Sequence, residues 1–152
     1  MRALRGAVQD ATSVKDYLES DLQVPSEQIQ ILLNKDASRS AIITGLLRLQ
    51  DDPRIAHGDP ILIFFAGHGS ELPQKTSPVE PHTHNEKIQV IIPQNYCPGL
   101  DEEASGETKV EAIPDRTFAA LLDGIANSKG DNIVSLYREI SCSFNLSLGD
   151  RL

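Results

Sequence analysis

The chain has 152 residues, 39% of them hydrophobic, which suits one domain whose core needs no metal or disulfide staple. Lys and Arg number 14 against 22 Asp and Glu, and the net charge of -8 argues against nucleic acid or an anionic membrane as partner, since both call for a basic surface. Two cysteines, Cys97 and Cys142, exclude a disulfide scaffold and fit a reducing, cytoplasmic setting. Residues 1–6 carry no apolar h-region, so secretion is not expected. No apolar run reaches the length of a membrane span, and the Asn145-Leu146-Ser147 sequon is expected to go unused.

In chain order, Leu4, Ala7, Ala11, Val14 and Leu18 recur at spacings of three or four and predict a first helix over about 5–22. Val24-Pro25-Ser26 ends it. Gln28-Ile29-Gln30-Ile31-Leu32 alternates and predicts a strand. Asp36 or Ser38 caps a second helix with Ile42, Leu46 and Leu49 on its inner face, and Pro53 closes it. Ile61-Leu62-Ile63-Phe64-Phe65 is continuously apolar, the pattern of a central parallel strand covered on both faces. Residues 71–112 hold eight acids and three bases and read as a long polar loop with one strand in it, Lys87-Ile88-Gln89-Val90-Ile91-Ile92. Pro114-Asp115 opens a third helix with Phe118, Leu121, Leu122 and Ile125 inward, and Gly130 ends it. Ile133-Val134-Ser135-Leu136-Tyr137 is the last strand. This order predicts an α/β fold, a three-layer α/β/α sandwich with a mostly parallel sheet.

Reacting groups in such sheets gather at the carboxyl ends of the strands. There the 61–65 strand carries Ala66-Gly67-His68-Gly69-Ser70. The glycines let the backbone turn sharply and a substrate approach closely, and His68 suits general acid–base work near neutral pH. The Gly69 amide is placed to donate to a developing oxyanion. A plain turn residue between two glycines is the competing reading of His68. A dinucleotide loop fails because Leu72 stands at the third glycine position and Pro73 obstructs a helix start. His82 and His84 lack further ligands at metal spacing, Asp101-Glu102-Glu103 lacks a calcium-loop pattern, and Cys97 reads as an ordinary loop thiol; no metal site is expected.

Several stretches are familiar together. Leu4-Arg5-Gly6-Ala7-Val8-Gln9-Asp10-Ala11, Tyr17-Leu18, Val24-Pro25 and Gln28-Ile29 resemble the opening of fungal caspase-like, metacaspase-related domains. Gly58-Asp59-Pro60 through Ala66-Gly67-His68-Gly69-Ser70 resembles that family's strand and catalytic-histidine loop. Ile113-Pro114-Asp115-Arg116-Thr117, Leu121-Leu122 and Lys129-Gly130-Asp131-Asn132-Ile133 resemble the helix and strand leading to its nucleophile. The likeness runs in order over about residues 3–133.

The resemblance implies a caspase-hemoglobinase-like fold and a cysteine endopeptidase with a Cys–His dyad. His68 would be the base and Gly69 the backbone donor of the oxyanion hole. Partners would be protein or peptide substrates, with full-length caspase-like homologues as a further class. No cofactor is implied beyond the calcium that activates some relatives, for which no ligand pattern stands here.

Two departures mark the chain. The family has an apolar strand ahead of the first helix, in mid-sheet; without it the segments near 29–33 and 61–65 would lose the partner between them. The family also places an acid and then the nucleophilic cysteine directly after the last strand, where this chain has Arg138-Glu139. Cys142, with Ser141 before it, comes several residues later. The expectation is a partial caspase-like domain over 1–152, truncated at both ends, with the nucleophile motif lost. The alternatives are an active peptidase using His68 and Cys142, a dead domain that binds partners or regulates relatives, and an unrelated α/β ligand-binding module.

Overall fold

The computed structural model describes residues 5–73, 87–97 and 109–139. Three helices and four strands make up these residues: α1 (Arg5–Ser20), α2 (Arg39–Asp51), β1 (Ile61–Pro73), β2 (Lys87–Ile92), β3 (Ile113–Pro114), α3 (Asp115–Lys129) and β4 (Ile133–Glu139). The expected α/β class is observed. The sheet runs β3-β2-β1-β4 and is mixed. β1 and β4 are parallel, with Ile61 opposite Ile133 and Gly67 opposite Glu139. β1 and β2, and β2 and β3, are antiparallel.

Local signals account for the helices. At α2, Ser38 rather than Asp36 is the cap, its Oγ accepting from the Ala41 N–H at 3.2 Å; Asp36 closes a short 3₁₀ turn, Asn34–Asp36. α3 follows Pro114, has Asp115 in its first turn and Lys129 in its last, charges that suit the helix dipole at each end. Gly130 ends it at φ 93°, in the left-handed region, and donates its N–H to the Ala126 carbonyl. A side chain there would also meet the Gly58 nitrogen at 3.2 Å.

Two layers of helix flank the sheet. Leu46 of α2 and Phe118 and Ile125 of α3 pack with Ile61, Ile91 and Ile113 into the buried core, with Ile63, Phe65 and Ile133 beside them. Odd-numbered residues of β1 therefore face α2 and α3. The even-numbered face carries α1, whose Asp10 accepts from Arg138 Nε at 3.0 Å. The cover on this face is incomplete. Leu62, Val134 and Leu136 are 41%, 52% and 49% exposed, so the predicted burial of the central strand on both faces does not hold.

The predicted strand at Gln28–Leu32 is absent. Ser26–Gln28 forms a 3₁₀ turn, and residues 29–33 are in no ladder. The backbone is extended at Ile29 and Leu33, as the alternation demands, but no described strand lies beside it to accept its hydrogen bonds. β1 shows the complementary vacancy. Ile61 N–H donates to the Asn132 carbonyl, so odd residues of β1 turn their main-chain groups to β4 and even residues turn theirs away. β2 takes up that far side only from His68 onward; from Ile61 to Gly67 it carries no strand among the described residues.

The amino end of the β1–β4 pair is tied down by polar contacts. Lys129 Nζ donates to the carbonyls of Asp52 (2.7 Å) and Ile55 (2.9 Å), Gly58 N–H donates to the Lys129 carbonyl, and Asn132 Nδ2 donates to the Gly58 carbonyl. Arg54 closes on the Asp52 carboxylate through Nε, Nη2 and its own backbone N–H. Those Arg54 hydrogen bonds hold the Asp52 pKa down at about 2, from 3.8. Because the folded value is depressed, this contribution to stability is complete above about pH 4 and vanishes as pH falls through about 2. Asp52→Asn is therefore expected to lower the urea midpoint at pH 7, with the gap to wild type closing between pH 4 and pH 2. A gap that stays constant over that range would contradict the account.

Candidate active site

His68 stands where β1 changes partner. Up to Gly67 the strand is paired with β4, and from His68 it is paired with β2, with Ile92 opposite. The residue is half-buried, on the same face of the sheet as α1. It lies at the carboxyl end of the parallel pair, the position expected for reacting groups.

The backbone does not turn at Gly67 or Gly69. β1 runs on to Pro73, and neither glycine has a positive φ; among the described residues only Gly58 and Gly130 do so as glycines. The reading of these two glycines as turn-formers is therefore corrected, and with it the reading of His68 as a turn residue. What Gly67 supplies is room. A Cβ built on it would stand 2.5 Å from Cζ of Phe65, far inside contact distance. Gly69 is buried in the ladder opposite Ile91. The alternation set by Ile61 aims the Gly69 N–H toward the β4 side, and the described ladder on that side ends at Gly67. That amide thus points to the β4 side, one step past the last described pair.

Two features at this end were not readable from the sequence. Arg138, opposite Ala66 on β4, lies on the His68 face and is ion-paired to Asp10 of α1. Its partner is remote in sequence, and no spacing rule joins them. Tyr137, opposite Phe65, meets Phe118 edge-on, with ring centroids 5.5 Å apart at 71°. Burial pushes the Tyr137 hydroxyl above its usual range, with a hydrogen bond to Ser135 opposing it.

Of the other residues singled out in the sequence, Cys97 bridges to Val110, exchanging backbone hydrogen bonds of 3.0 Å each way, and is half-buried. Cys142, Ser141, His82, His84, Asp101, Glu102, Glu103 and Asn145 lie outside the described residues. Among the described residues no three His, Cys, Asp or Glu side chains gather as metal ligands. No described helix is long and apolar enough to cross a membrane.

No curated protein matches the chain. The family model described as the caspase domain does, over residues 1–118. That range contains α1, α2, β1 with His68, β2, β3 and the opening of α3. With more than three quarters of its length matched, including the strand that carries the histidine, the chain belongs to the caspase-domain family.

Proposed function

We propose that the chain is a cysteine-peptidase-type domain in which His68 is the acid–base residue and Gly69 the backbone oxyanion donor, and in which the nucleophile motif has been lost. The observation that carries this reading is the placement of His68 at the carboxyl end of the described β1–β4 pairing, with the Gly69 amide turned toward the β4 side.

A cysteine peptidase needs three things at such a point. An imidazole takes the thiol proton, the thiolate attacks the peptide carbonyl carbon, and a backbone N–H stabilises the oxyanion that forms. The imidazolium then gives its proton to the leaving amine, and water hydrolyses the acyl-enzyme. His68 and Gly69 suit the first and third tasks. The nucleophile would follow β4, whose last described residue, Glu139, lies opposite Gly67. Cys142 follows Glu139 by three residues, a length of chain that reaches at most about 11 Å. Reach alone therefore does not separate an active from a dead domain.

Local sequence context favours the dead one. Where the resemblance calls for an acid just ahead of the thiol, β4 carries Arg138, already engaged with Asp10. Cys142 comes several residues late and lacks the flanking residues usual for the family's nucleophile. On this reading the domain acts by binding protein or peptide partners, full-length caspase-like homologues among them.

The test is alkylation of Cys142 by iodoacetamide, followed by mass spectrometry, beside an assay with fluorogenic peptides. Cys142 is expected to react at the rate of a free thiol, unchanged in His68→Ala, and no peptide is expected to be cleaved. In one well-studied hydrolase, loss of the nucleophile lowers turnover on the order of 10⁶-fold, so a misplaced thiol leaves no slow residual activity to find. Peptide cleavage that disappears in His68→Ala would overturn the loss and replace it with an active His68–Cys142 peptidase.

A further inference from the structure

We propose that Phe65 is a positioning residue for His68, acting through Gly67. This rests on the reading of His68 as the acid–base group. Residues 65 and 67 project from the same face of β1, and the Phe65 ring lies across the Gly67 main chain. A Cβ at 67 would stand 2.5 Å from Cζ and 3.1 Å from both Cε1 and Cε2, so the ring fills the volume a side chain there would need. The contact falls one residue before His68.

The ring is itself packed against the buried core. Phe65 is paired with Tyr137 across the β1–β4 ladder, and Tyr137 packs edge-on against Phe118. Phe118 is 6% exposed and sits in the core at the start of α3. The Phe65 ring thus connects the core to the main chain that carries the imidazole. The segment needs such support, because two of its three residues, Gly67 and Gly69, have no side chain with which to anchor it. His68 projects to the opposite face, so the influence of the ring reaches it through the strand.

The experiment uses the chain with labelled histidine, the His68 signals being assigned by their loss in His68→Gln. Gly67→Ala forces a methyl group against the ring. It is expected to move the His68 imidazole resonance and its titration midpoint, and to speed amide exchange over 67–69 by about tenfold or more, as overpacking of this kind does. Phe65→Leu combined with Gly67→Ala makes room for the methyl, and both readouts are expected to return toward wild type. His57, at the opposite end of β1, serves as the control and stays in place in every variant.

Should Gly67→Ala not fold, Phe65→Leu alone carries the test: the His68 signals shift and exchange over 67–69 accelerates while His57 is unmoved. Unchanged His68 signals in a folded Gly67→Ala or Phe65→Leu chain would overturn the proposal. So would a double variant no nearer wild type than Gly67→Ala. Failure of the acid–base reading has a different signature, peptide cleavage that survives His68→Ala, and it leaves these resonances untouched.

Discussion

Ile125→Ala is expected to cost the fold about 3–5 kcal/mol, the upper half of the range for large-to-small core changes. Ile125 is fully buried on α3, in the same cluster as Leu46 of α2, Ile61 of β1 and Ile113 of β3. Truncation removes three carbons and leaves a cavity walled by both helices and the sheet. The space can close only if one of them moves, so relaxation is small. The gain in helix propensity on going to alanine returns a few tenths of a kcal/mol and does not change the outcome. Against a typical total stability of about 5–15 kcal/mol, the loss is a large fraction of what holds a domain together. Urea unfolding followed by circular dichroism measures it as a lower midpoint at unchanged slope. Leu47→Ala, on the exposed side of α2, is the control and is expected to lose well under half as much. A loss below about 1 kcal/mol for Ile125→Ala would remove Ile125 from the centre of the core.

Lys129→Met is expected to cost about 2–4 kcal/mol, although it replaces a buried charge with an apolar side chain of similar length. Two effects oppose each other. Removing a buried ammonium relieves its desolvation, which alone would stabilise. Removing its hydrogen bonds takes a charged donor from the carbonyls of Asp52 and Ile55, which it meets at 2.7 and 2.9 Å. The second effect is the larger. Both bonds are charge-assisted; the Asp52 carbonyl keeps the Ile55 N–H at 3.2 Å, while the Ile55 carbonyl, in the loop that leads from α2 to β1, loses its Lys129 donor. The Asp52 carboxylate also loses a nearby cation. The same urea experiment decides between them, and a Lys129→Met chain as stable as wild type would show that desolvation wins.

What the sequence made legible was what is local. Two of the three helices carry their own punctuation, Ser38 for α2 and Pro114 with Gly130 for α3, and they form where it places them. The apolar run from Ile61 and the segment from Ile133 form strands and pair in parallel. Pairing itself is not local, and there the reading failed. Gln28–Leu32 has the alternation of a strand and stays unladdered for want of a neighbour. β1 extends eight residues past Phe65 because β2 lies against it, which nothing within 66–73 announces. At the site, the histidine past the apolar run of β1 was legible, but its glycines were misread as turn-formers and the reason for Gly67 was not legible. Its missing side chain answers the ring two residues before it, a packing fact rather than a conformational one.

The parallel pairing of β1 with β4 also bears on how the protein is made. The contact from Lys129 to Asp52 spans 77 residues of chain, and Ile61 waits for Ile133 over a comparable stretch. A ribosome adding about 5–20 residues per second needs roughly 4–14 seconds to cover that distance. Through that interval the most apolar strand of the nascent chain has no parallel partner to receive its backbone groups. The sheet that presents His68 thus begins as a wait, with Ile61-Leu62-Ile63-Phe64-Phe65 open to other pairings until β4 is made.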